Sequence, residues 1–72
     1  MKTNIRLKMS KRIKRLREER GFTQEKFAEI AGIDYKYLQK MEGKNPPNMK
    51  IETLERLAKA LATTLPEFMD FE

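Results

Sequence analysis

Apolar residues recur along the chain at intervals of three and four, the spacing that lines one face of a helix. Met9, Ile13 and Leu16 make the first such stripe, in a segment dense in Lys, Arg and Glu, and Gly21 supplies its C-terminal stop. Thr23 stands where an N-cap would for a second helix, whose Phe27, Ala28 and Ala31 face inward until Gly32 ends it. Asp34 caps a third, with Leu38 and Met41 as its buried stripe and Gly43 as its stop. The stretch KNPPN that follows is a loop, because proline lacks the N–H donor and restricts the residue before it. A fourth helix from about Lys50 carries Ile51, Leu54, Leu57, Ala58 and Leu61. Thr64 and Glu67 have capping-box spacing for a short fifth helix bearing Phe68, with Pro66 in its first turn. No segment reads as a strand. The alternation of Ile5, Leu7 and Met9 fits a short extended arm before helix 1. The expectation is an all-α, five-helix domain over residues 9–72, preceded by a basic, flexible arm over residues 1–8.

The break between the second and third helices is the informative one. Two helices joined by so short a connection cross steeply, and only a small side chain, Ala28, fits where their backbones meet. The connection needs one residue in the left-handed region, which Gly32 adopts without a Cβ penalty. Ile33 then plugs the angle between the helices. Leu38 and Met41 meet Phe27 and Ala31 behind the third helix, so its outer face stays free.

Composition narrows the chemistry. A chain of 72 residues forms one domain with a small core. It contains no cysteine and no histidine, which removes disulfides and the common zinc ligand sets, so no metal and no cofactor are expected. Without a His or Cys nucleophile or base, and without a glycine-rich phosphate loop, an enzyme is not expected either. Apolar runs are three residues at most and no secretory h-region is present, so the expected setting is the cytoplasm, away from membranes. The net charge is +5, unevenly spread: residues 1–20 carry nine Lys/Arg against two Glu, and residues 51–72 carry two against five Asp/Glu. One basic end and one acidic end suit a domain that turns a single face to a polyanion.

Residues 24–43 resemble the helix-turn-helix of the phage repressor and Cro family, also called the xenobiotic-response-element type. Ala28 stands at its fifth position, Gly32 at its ninth, and apolar residues at the fourth, eighth, tenth, fifteenth and eighteenth: Phe27, Ala31, Ile33, Leu38 and Met41. RIKRLREERGFTQEKFAEIAGI, EGKNPP and ETLERLAKAL are similar to the flanking parts of the family's five-helix, repressor-like domain. Two departures are a loop one residue longer after Gly43, and Ala62 where many members have a helix-ending glycine.

The resemblance implies sequence-specific binding of double-stranded DNA by a small transcriptional regulator, a dimeric repressor on a near-palindromic operator. The alternative it leaves open is a protein-binding module, antitoxin-like or a bridging factor, on the same fold. Base reading would fall to Tyr35, Lys36, Gln39 and Lys40: the amide suits adenine N6/N7, the lysines guanine O6/N7, and the tyrosine a thymine methyl or a phosphate. Phosphates would be held by Thr23, Gln24, Lys44, Asn45 and the Tyr37 hydroxyl, whose ring otherwise covers helix 1. Family members often join an Arg and a Glu at the places of Arg17 and Glu42 in a partly buried ion pair. Phe68, Met69 and Phe71 exceed what a short terminal helix needs for its own core, which suits a homodimer or a protein partner.

Overall fold

The computed structural model of the protein describes residues 4–70. Five helices follow in order: α1 Ile5–Glu19, α2 Gln24–Ala31, α3 Tyr35–Met41, α4 Ile51–Ala60 and α5 Leu65–Phe68. No strand occurs among the described residues. Helix α2 packs on both α3 and α4, and α5 closes against α4. Phe27, Leu38, Met41, Leu57, Leu61 and Phe68 are fully buried in one core, and α1 contributes Met9 and Ile13 to it. The Phe22 ring stacks on Phe27 at a centroid separation of 6.0 Å.

Two boundaries differ from the apolar pattern. Helix α1 starts at Ile5, so residues 5–8, expected as part of an arm, form its first turn. The cause is Asn4, whose side chain accepts from the Leu7 N–H at 3.1 Å and caps the helix a turn ahead of its buried stripe. In α4 the stripe begins at Leu54, because Ile51, at the first helical position, is 71% exposed. A helical side chain leans towards the N-terminus, and from the first turn that direction leads off the end of the packed surface.

The ends of α1, α2 and α4 share one construction. The N–H groups of Phe22, Ile33 and Thr63 reach back to the carbonyls of Arg17, Ala28 and Ala58 at 3.1, 3.0 and 3.0 Å. Each such corner places one residue at positive φ: Gly21 at 72°, Gly32 at 71° and Ala62 at 57°. Ala62 therefore bears a left-handed backbone with a side chain attached, at a cost of roughly 1–2 kcal/mol that glycine avoids.

Side chains of α1 lock the far ends of the chain. Arg12 donates from Nε to the Phe68 carbonyl at 3.1 Å and from Nη2 to the Glu67 carbonyl at 2.9 Å, placing a cation at the C-terminal end of α5. Buried Ser10 donates to the Gly43 carbonyl at 3.3 Å, seating α1 against the segment that leaves α3. At the other end of α5, Thr64 and Glu67 complete a reciprocal capping box.

Candidate nucleic-acid interface

The pair α2 and α3 is fixed at both ends and at its turn. Thr23 caps α2 by accepting from the Lys26 N–H, and Asp34 caps α3 by accepting from the Tyr37 N–H, each at 3.1 Å. Between them, Gly32 takes φ 71° and ψ 35°. A Cβ built on Gly32 would come no nearer than 3.7 Å to the Arg56 guanidinium, so backbone conformation, not space, requires the glycine here. Ala28 is buried at the crossing and Ile33 packs against the core. Arg56 of α4 donates to the Gly32 carbonyl at 3.0 Å, tying the turn to the scaffold.

Behind α3 lies a polar network. Arg17 binds Glu42 through two bonds, Nε to Oε2 at 2.8 Å and Nη2 to Oε1 at 3.0 Å, and its Nη1 donates to the Phe22 carbonyl at 2.7 Å. The side chains are only 10% and 2% exposed, so the pair is a desolvated, bidentate bridge from α1 to the end of α3. Gln24, expected to point freely at a phosphate, is half-buried and donates from Nε2 to Glu42 Oε1 at 3.1 Å. The first residue of α2 is thereby hydrogen-bonded to the C-cap of α3.

In front, Tyr35, Lys36, Gln39 and Lys40 are all exposed on the outer side of α3. Gln39 Nε2 donates to the Tyr35 hydroxyl at 3.1 Å, one helical turn away, so two of the four sit in a defined mutual orientation. Thr23, Lys44 and Asn45 are exposed at the margins of the pair. Tyr37 differs from the expectation: its half-buried ring packs on the core and its hydroxyl donates to the Asn48 carbonyl at 3.4 Å, holding the α3–α4 loop. Phe68 differs too. It is fully buried in the core of this chain and has no surface to offer a second copy, because α5 folds back onto α4 and carries it inward. Met69 is exposed, and Phe71 lies outside the described residues.

Arg12, Arg56 and Ser10 escaped the reading by pattern. Arg12 and Arg56 are cations whose partners are backbone carbonyls distant in sequence, and no charge pairing in the chain signals that kind of contact. Ser10 precedes the buried Ile13 by one turn of α1, where burial without a large apolar side chain leaves no periodic trace.

A family model described as "Helix-turn-helix domain" matches residues 10–70, nearly the whole chain. The chain belongs to this family. It is an XRE-type member, a class of DNA-binding regulators, and its helix-turn-helix is α2 with α3. Among solved structures it is similar to the wild-type restriction-modification controller protein C.Esp1396I, at 33% identity and a TM-score of 0.82, covering 93% of this chain and 86% of that one. It is similar to the restriction-modification controller C.AhdI from Aeromonas hydrophila at 28% identity and a TM-score of 0.81, with 88% and 94% covered. SinR, a master regulator for biofilm formation crystallised with DNA, is 31% identical at a TM-score of 0.79, over 86% of this chain and 98% of that one. No curated protein matches the sequence.

Proposed function

We propose that the protein binds double-stranded DNA sequence-specifically and acts in the cytoplasm as a dimeric transcriptional repressor. The observation that carries this reading is the outer face of α3. Four side chains suited to base edges and phosphates project from a helix whose cap, turn and rear face are all held by the domain. Such rigidity is what lets a short helix offer fixed donors to a major groove. Lys36 and Lys40 would donate to guanine, Gln39 to adenine N7 while accepting from its N6, and Tyr35 would touch a thymine methyl or a phosphate. Thr23, Gln24, Lys44 and Asn45 lie at the margins of the pair and would meet the sugar-phosphate backbones of the two strands. Gln24 keeps one amide hydrogen free while the other is bound to Glu42, so it reaches a phosphate without breaking the network.

Two relatives support the partner: SinR was solved in complex with DNA, and C.Esp1396I as a nucleoprotein complex. A dimer follows from length, since α3 has seven residues, roughly 10 Å, and reads only a few base pairs. A two-fold pair sets two such helices about 34–36 Å apart on one face of a duplex. Met69, exposed just after α5, would contribute to the dimer contact.

The test is salt dependence. With about four to six phosphates neutralised per subunit, log K should fall against log salt with a slope of roughly −7 to −11 for a dimer. A slope near zero on every duplex would refute DNA binding. A second reading, protein binding by the same fold, is favoured by one relative, SinR, which also forms a complex with the SinI protein. Sizing of the free protein beside the titration separates the two.

A further inference from the structure

Between the start of α1 and the loop after α3 runs an open groove of about 640 Å³, with residues 4–6 on one side and residues 44–47 on the other. Its sign is unmixed. Arg6 and Lys44 are its charged lining residues, both exposed, and no Asp or Glu occurs anywhere in residues 1–17 or 43–51. Neither cation has an ion-pair partner among the described residues, whereas Arg15 and Lys26 each have one and Arg17 has two.

Helix register fixes where Arg6 stands. Ser10, one turn further along, donates to the Gly43 carbonyl, so the face of α1 that carries Ser10 also carries Arg6, set beside the residues that follow Gly43. The opposite wall is held as well. Pro46 is buried, Pro47 follows it, and the Tyr37 hydroxyl bonds the Asn48 carbonyl, so the loop presents Lys44 from a constrained backbone. Arg6 and Lys44 thus face a common space at the margin of α3.

We infer that this groove seats the DNA sugar-phosphate backbone beyond the end of α3, with Arg6 as a phosphate contact opposite Lys44. The inference rests on the proposed DNA binding and extends its footprint to the first turn of α1, a segment the apolar pattern assigns to an arm. A phosphodiester oxygen matches the groove because it brings one negative charge and only acceptors to two donors that lack an internal anion. Continuity decides the source of that phosphate: Lys44 and Asn45 follow α3 after Glu42 and Gly43, and the backbone of the duplex that α3 would read forms the wall of its major groove.

The experiment compares the wild type with Arg6→Ala, Arg6→Lys, Lys44→Ala and Lys11→Ala, using a mixed-sequence duplex and fluorescence anisotropy between about 50 and 200 mM salt. Lys11 is the control, with the same charge change on the same helix but roughly 140° around it from Arg6. The expected result is that Arg6→Ala lowers the magnitude of the salt slope by about 0.9 for each phosphate it no longer neutralises, so that raising salt over this range costs it roughly 3.5-fold less affinity per such phosphate than it costs the wild type. Lys44→Ala should do the same from the opposite wall. Arg6→Lys should restore most of the slope, and Lys11→Ala should leave it unchanged. Competition by inorganic phosphate at constant ionic strength should not displace the duplex, which separates a backbone contact from a site for the free ion. Wild-type slopes for Arg6→Ala, or an equal reduction for Lys11→Ala, overturn the Arg6 contact while leaving DNA binding standing. Absence of salt-dependent binding by the wild type overturns both.

Discussion

Replacing Glu42 by Gln tests the network behind α3 with almost no change of shape. Glu42 accepts three hydrogen bonds, from Arg17 Nε and Nη2 at 2.8 and 3.0 Å and from Gln24 Nε2 at 3.1 Å. A glutamine offers one oxygen to those donors and turns an NH₂ towards the rest, so donors face donors. Arg17, 10% exposed, keeps at most one bond to the new amide oxygen, together with the Phe22 carbonyl at 2.7 Å, and its remaining anion is the exposed Glu18 at 3.9 Å. Breaking a buried pair on one side costs about 3–5 kcal/mol, and the surviving carbonyl bond puts this case near the lower figure, about 3. Domains of this size are stable by roughly 4–11 kcal/mol, so a large fraction is removed. The melting temperature should fall by roughly 12–24 °C, at about 4–8 °C per kcal/mol. Far-UV circular dichroism melts read this directly. The double variant Arg17→Met with Glu42→Leu removes both charges and should regain most of the stability. A Glu42→Gln protein that melts within a few degrees of the parent would refute the claim that the pair is desolvated.

Ala62→Gly should stabilise the fold, since relief of roughly 1–2 kcal/mol of left-handed strain exceeds the roughly 0.4–1 kcal/mol that glycine's freedom adds to the unfolded chain; a lower melting temperature would refute the strain at φ 57°. Gly32→Val should cost about 1–2 kcal/mol through φ alone, the nearest atom to the new Cβ being 3.7 Å away, and it should weaken DNA binding by turning α3; parental melting and affinity would refute this. Glu67 is held below the ordinary glutamate range by the Thr64 N–H, then by the hydroxyls of Thr64 and Thr63. Its depressed pKa makes that stabilisation complete above the ordinary range and lost as pH falls through the folded value, so the melting temperatures of wild type and Glu67→Gln should converge in acid and part near neutrality. Parallel curves across that window would contradict the box.

The helix-turn-helix was legible in the sequence because its demands are local: caps at Thr23 and Asp34, a left-handed residue at Gly32, a small residue at Ala28. The start of α1 was not, since Asn4 alone signals it and the apolar stripe begins a turn later. Ile51 and Phe68 misled for one shared reason, that an apolar residue at a helix end is placed by the path of the chain and not by periodicity. The pairing of Arg17 with Glu42 came through family resemblance, because nothing in their separation of 25 residues announces a contact. Family resemblance points the Gln24 amide and the Tyr37 hydroxyl at phosphates, while the fold first uses both for its own bonds.

Reading of base pairs by the outer face of α3 is tested by selection of binding sites from random duplex DNA by the wild type, Gln39→Ala and Lys40→Ala. Both side chains are exposed, so melting curves of the variants should stay close to the parent, within about 0.5 kcal/mol. Each variant should relax or change the preferred base at one position of each half-site, losing roughly 1–3 kcal/mol on the wild-type site and little on unrelated DNA. Recovery of the same site with the same preference by all three proteins would contradict base reading by α3, and protein binding would then become the better account of this fold.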